Sequence, residues 1–102
     1  MSFKLRIVQN FDKRDSVPFL ELERKFAEME KASGNIAAGR RFVPVIGKEP
    51  SNTMVWEAEF PSMESVFEAL KTMEESDEHD KLFNEQVRYM RDNYIEIYEE
   101  FV

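Results

Sequence analysis

Cysteine is absent from this chain of 102 residues, and histidine occurs once, at His79. Without cysteine there is no disulfide framework, no thiolate metal site and no thiol nucleophile. One imidazole among scattered carboxylates has no metal-ligand spacing, so no metal site is expected. Three glycines and four prolines are the only punctuation, no nucleotide-binding motif is present, and no cofactor is evident. No serine or threonine has a base beside it to make it a nucleophile. No apolar run approaches the roughly 20 residues that cross a bilayer, and the N-terminus lacks the apolar segment of a signal peptide. The expectation is a cytoplasmic protein with no membrane partner. Basic residues are also in deficit, 14 Lys and Arg against 21 Asp and Glu, for a formal charge of −7. That field repels phosphate backbones and argues against a nucleic-acid partner.

What the chain does have is alternation. Nine phenylalanines, six methionines and the aliphatics suffice for one core, and this length makes a single domain spanning residues 1–102. Residues 3–10, 41–46, 53–60 and 93–101 read as strands, and two helical patterns fill the first and third gaps. In the first strand Phe3, Leu5 and Ile7 point one way and Lys4, Arg6 and Val8 the other. Ser16 is expected to act as an N-cap, and Phe19, Leu22, Phe26 and Met29 then recur at spacings of three and four, giving one apolar stripe that ends at Gly34. Pro44 removes a ladder donor, which places the second strand at a sheet edge. Ser62 caps a helix whose stripe is Met63, Val66, Phe67, Leu70 and Met73. Asp77, Asp80 and Lys81 interrupt it, so a break recapped by Ser76 or Asp77 is expected, with Leu82, Phe83, Val87 and Met90 as a new stripe.

The order β-α-β-β-α-β predicts an α+β, ferredoxin-like fold: a four-stranded antiparallel sheet of order 4-1-3-2 with helices on one face. The covered face takes Phe3, Leu5, Ile7, Phe42, Ile46, Met54, Trp56, Ile95 and Ile97. The other carries Lys4, Arg6, Val8, Arg41, Val43, Val45, Val55, Glu57, Glu59, Tyr94, Glu96 and Tyr98. Its charges alternate across the strands, where opposite-charge pairs contribute about 0.2–1 kcal/mol each, and Arg41 is expected to pair with Glu57 or Glu59. Val8, Val43, Val45, Val55 and Tyr98 would leave an apolar patch on this face, and such patches mark interaction sites. Two sheets packed face to face would cover it, so a homodimer is expected.

The segments Gly39-Arg40-Arg41-Phe42-Val43-Pro44-Val45-Ile46-Gly47, Met54-Val55-Trp56-Glu57-Ala58-Glu59-Phe60-Pro61-Ser62 and Tyr94-Ile95-Glu96-Ile97-Tyr98 resemble the dimeric α+β barrel superfamily, most of all NIPSNAP-type small proteins. The resemblance implies a dimer with a cleft between sheet and helices in each protomer, and no settled reaction. The superfamily also includes antibiotic-biosynthesis and haem-degrading monooxygenases. Some of these use an Asn at the end of the first strand, a Trp in the sheet and a His on the following helix. This chain offers Asn10, Trp56 and His79, with His79 standing beyond a helix break and farther from the Trp.

Three functions from different classes follow. The first is a protein that binds a small apolar or aromatic molecule in its cleft, with Trp56, Arg41 and Tyr94 as candidate contacts. The second is a monooxygenase-like enzyme with His79 and Asn10 as candidate catalytic residues. The third is a partner-binding module that uses the acidic surface. A histidine within Asp77-Glu78-His79-Asp80 reads as solvated, its pKa raised by its neighbours, and Trp56 reads as core. What separates the first two functions is whether His79 points into a cleft lined by Trp56. The third is tested by whether a cleft survives packing at all.

Overall fold

In the computed structural model, which describes residues 2–102, strands β1 (Phe3–Phe11), β2 (Arg40–Phe42), β3 (Thr53–Phe60) and β4 (Met90–Glu99) form one antiparallel sheet. Its order is β2-β3-β1-β4, the expected topology, with β2 at an edge and Pro44 beyond the end of that strand. Helix α1 (Ser16–Ala32) links β1 to β2, and α2 (Met63–Glu75) and α3 (Asp77–Gln86) link β3 to β4.

Local chemistry sets the boundaries. Ser62 starts α2 with a capping box: its hydroxyl accepts from the Ser65 backbone N–H, and the Ser65 hydroxyl accepts from the Ser62 N–H. That satisfies two helix-end donors. Ser76 breaks the run as expected, ending α2 and capping α3 by accepting from the His79 backbone N–H. Ser16 does not cap α1; it is the first helical residue, and its hydroxyl donates to the Lys13 carbonyl. Met90 leaves the helical stripe and opens β4, which ends before the exposed Phe101.

The core lies between β1, β3 and the helices. One cluster gathers Leu5, Phe26, Met29, Ile36, Trp56, Val66 and Met73, and a second gathers Phe11, Phe19 and Met54. Phe11 and Phe19 stack with ring centroids 4.3 Å apart. On the outer face Arg6 lies 2.9 Å from Glu57 and 3.3 Å from Glu96, and Lys4 lies 3.6 Å from Glu57. These are the anticipated cross-strand pairs.

The second strand departs from expectation in length and in phase. Only Arg40, Arg41 and Phe42 pair, opposite Glu57, Trp56 and Val55. Arg41 therefore shares the helix-covered face with Trp56, while Phe42 shares the outer face with Val55, the reverse of the expected alternation. A one-residue slip turns every side chain to the opposite face, and here the ion pairs of Arg41 with α1 hold the register. Beyond Phe42 the chain leaves the ladder, and Val43, Pro44 and residues 46–49 line the outer face instead of extending the sheet, with Glu49 accepting from the Asn10 side chain. Val8 and Val55 are consequently 1% and 5% exposed, so they are not the bare patch that alternation implies. Phe42, Val43, Val45, Ile46 and Tyr98 are the exposed apolar groups there.

Candidate functional site

Helix α1 buries one stripe, Phe19, Leu22, Glu23, Phe26, Met29 and Glu30. Two of these six are glutamates, seven residues apart and so on the same side of the helix. Both reach Arg41. The Arg41 Nε donates to Glu23 Oε2 at 2.5 Å, and its two terminal nitrogens donate to Glu30 at 3.2 and 2.5 Å. Glu30 Oε1 also accepts from the Trp56 indole N–H at 3.2 Å and from the Gly39 backbone N–H at 3.0 Å. One carboxylate thus ties α1 to the edge strand, to the central sheet and to the loop between them. Charge-assisted, bidentate contacts of this kind fix geometry as well as stabilise it. Burial alone would lower the Arg41 pKa, but its two glutamate partners outweigh burial and hold it raised.

Gly39 is needed here for contact rather than for backbone freedom. A Cβ built on it would stand 2.0 Å from the indole Nε1 and Cε2 of Trp56, closer than any real contact. The backbone of residue 39 lies directly against the ring, and only glycine fits.

Beside this network lies a cavity of about 310 Å³ between sheet and helices, near the lower end of small-molecule pockets. Phe26, Trp56, Met73 and Phe83 supply apolar wall, Glu23, Glu30 and Gln86 supply a buried polar end, and the exposed Glu74, Asp80 and Asn93 lie towards solvent. Gln86, 0% exposed, donates from Nε2 to Glu23 Oε1 at 2.8 Å and to the Phe19 carbonyl at 3.4 Å. Both partners are acceptors, which fixes the amide orientation. The opposite atom, Oε1, has no hydrogen-bond partner.

His79 lines the same cavity, contrary to the solvated position expected of it. Its ring meets Phe26 edge-on, centroids 5.1 Å apart. Its pKa is lowered from 6.5: burial favours the neutral ring and outweighs Glu30, Asp80 and Glu23, which pull the other way. This reverses the predicted direction. Since the folded pKa lies below the unfolded one, the unfolded chain binds more protons as pH drops through 6.5. The stability tied to neutral His79 is thus present above that pH and lost on acidification, until pH falls below the folded pKa. Chemical denaturation at pH 7.5 and 5.5 is expected to show a larger acid loss in the parent than in His79→Phe. Equal losses would remove His79 as a source.

Of the residues singled out in the sequence, the fold brings Trp56, Arg41 and His79 to one cavity. Asn10 is not among them: it lies on the other side of the sheet, where its amide donates to Thr53 at 2.7 Å and to Glu49 at 3.1 Å. Tyr94 also sits on that outer side, with its pKa raised by burial and by the carboxylates of Glu49 and Glu96. Arg41 does not pair with Glu57 or Glu59, and its guanidinium is occupied by two internal carboxylates rather than free to grip a third. Glu23, Glu30, Gly39 and Gln86 were not anticipated. Two acids in phase with an apolar stripe, each four residues after a core phenylalanine, are the signal that marks the glutamates.

No family model matches the chain, and no curated protein matches it in sequence. Solved structures do match it over nearly its full length. A NIPSNAP family protein from Agrobacterium tumefaciens superposes with a TM-score of 0.76 at 15% identity, over 97% of this chain and 92% of that one. This chain has the fold of that NIPSNAP family protein. A NIPSNAP-like domain protein from Burkholderia xenovorans also gives 0.76, at 12% identity over 98% and 85% of the two chains. An antibiotic biosynthesis monooxygenase gives 0.74, at 15% identity over 98% and 99%. Proteins of different names share this fold, and a fold does not by itself imply a function, so the site itself has to carry the functional argument. Among the described residues, no helix is long and apolar enough to cross a membrane, and no group of three or more His, Asp or Glu gathers where it could hold a metal ion.

Proposed function

We propose that this chain is a cytoplasmic homodimer that binds a small apolar or aromatic molecule between sheet and helices. The observation that carries the reading is the cavity of about 310 Å³ walled by Trp56, Phe26, Met73 and Phe83, with an ion-paired polar end. Pockets of this kind, mostly apolar with a few convergent polar groups, are the usual form of a small-molecule site. The test is a titration with 1-benzothiophene, an apolar bicyclic probe, followed by nuclear magnetic resonance. Saturable shifts are expected for the Trp56 indole N–H and the His79 ring, while Tyr94 and Tyr98 behind the sheet stay unmoved. Absence of a saturable shift at Trp56 both with this probe and with indole would defeat the reading.

A monooxygenase-like activity is the second reading, favoured by His79 and Trp56 lining one cavity. The position of Asn10 behind the sheet weighs against it, because a general acid–base set must reach a common ligand. Quinol and haem turnover should be absent from the parent and unchanged in His79→Ala; turnover lost with the imidazole would promote this reading.

The homodimer rests on the exposed outer-face groups Phe42, Val43, Val45, Ile46 and Tyr98. Sedimentation at micromolar concentration should give about twice the 12.1 kDa chain mass. The pair Val45→Lys and Ile46→Lys, both on the exposed loop, should shift it to monomer with helical content intact. A monomeric parent would end the proposal.

A further inference from the structure

Gln86 holds the one feature of the cavity that its own residues leave unanswered. A buried acceptor without a partner is costly, and Gln86 Oε1 is such an acceptor on a side chain that lines the cavity. Its amide cannot turn to relieve this, since Nε2 is committed to Glu23 and Phe19. The charges around the cavity are also one-sided. Four carboxylates line it, Glu23 and Glu30 at the buried end and Glu74 and Asp80 at the solvent side, against one guanidinium, Arg41, which is already paired with Glu23 and Glu30.

We infer that the cleft selects an aromatic molecule that carries an N–H or O–H donor and no negative charge, with Gln86 Oε1 accepting from that donor. This rests on the binding reading above and narrows it. The apolar wall supplies affinity for the ring, Gln86 Oε1 fixes its orientation, and the excess of carboxylates repels acids. Gln86 is then a specificity-determining residue: a ligand lacking the donor would leave the acceptor buried and unpaired, which is how polar sites reject analogues.

Two matched pairs of probes separate these claims by calorimetry and by shifts of the Trp56 indole N–H. Indole and 1-benzothiophene have similar shapes, but only indole has a donor; the inference requires indole to bind at least about tenfold tighter. Tryptamine and indole-3-acetate carry the same ring with opposite charge, and tryptamine should bind while the acetate binds at least about tenfold more weakly. In Gln86→Met, indole and benzothiophene should become equal, with benzothiophene retained. Should that variant fail to fold, the comparisons on the parent still decide. Equal binding of indole and benzothiophene would overturn the inference and leave the binding reading intact, Gln86 being served by water. Tighter binding of the acetate than of tryptamine would overturn it as well. No binding of any probe would remove the reading beneath it.

Discussion

Trp56→Ala is expected to destabilise the fold by about 3–5 kcal/mol, the cost of truncating a fully buried large aromatic. The indole is 4% exposed and belongs to the cluster that includes Phe26, Leu5 and Val66. Its removal would open a void against Gly39 that glycine cannot fill, and would take one donor from Glu30. Set against the 5–15 kcal/mol that holds a typical domain together, this loss moves the chain close to unfolding at 25 °C. Trp56→Phe separates the two contributions, since it keeps much of the ring but lacks the N–H; it should cost about 1–2 kcal/mol. Urea denaturation followed by far-ultraviolet circular dichroism reads both variants, because the only tryptophan is lost in each. In the parent, Trp56 emission should be blue-shifted and move red on unfolding. A loss below 1 kcal/mol for Trp56→Ala would show that the ring is not packed as described.

The legible parts of this molecule are those governed by local pattern. Lys4, Arg6 and Val8 alternate with Phe3, Leu5 and Ile7 without interruption, so the faces of β1 can be read, and Glu57 and Glu96 follow by cross-strand charge. Ser62 and Ser76 sit where capping chemistry has few alternatives. The site was harder to read because its geometry comes from residues distant in sequence. Three residues of β2 are too few for alternation to set a phase. Its register depends on Arg41 meeting Glu23 and Glu30, 18 and 11 residues earlier. The string Asp77-Glu78-His79-Asp80 describes a solvated turn, and its acids are indeed exposed. The break at Ser76 starts a new helix, however, and its imidazole packs against Phe26. Burial then outweighs neighbouring charge, which is why the pKa direction inferred from adjacent acids was reversed. Gln86 carries no local signal at all; its significance comes from contacts with Phe19 and Glu23, 67 and 63 residues away.

Glu30→Ala is expected to cost about 3 kcal/mol, towards the lower end of the range for breaking a buried ion pair from one side, because the Arg41 side chain keeps 17% of its exposure. The carboxylate serves Arg41, Trp56 and Gly39 together. Its loss therefore strands a guanidinium edge, an indole N–H and a backbone N–H at once. Arg41→Met should be damaging for the mirror reason, since Glu23 and Glu30 are both left inside without a cation. The two residues act as a unit, so their effects cannot add. In a double-mutant cycle, Glu30→Ala with Arg41→Met should be less destabilised than the sum of the single variants by about 1–3 kcal/mol. The readout is again the urea midpoint, with cleft integrity followed by the Trp56 indole N–H resonance, which should move upfield once Glu30 no longer accepts from it. Strict additivity would mean that the guanidinium and the carboxylate are held apart in solution, and that the edge strand takes its register from something other than α1.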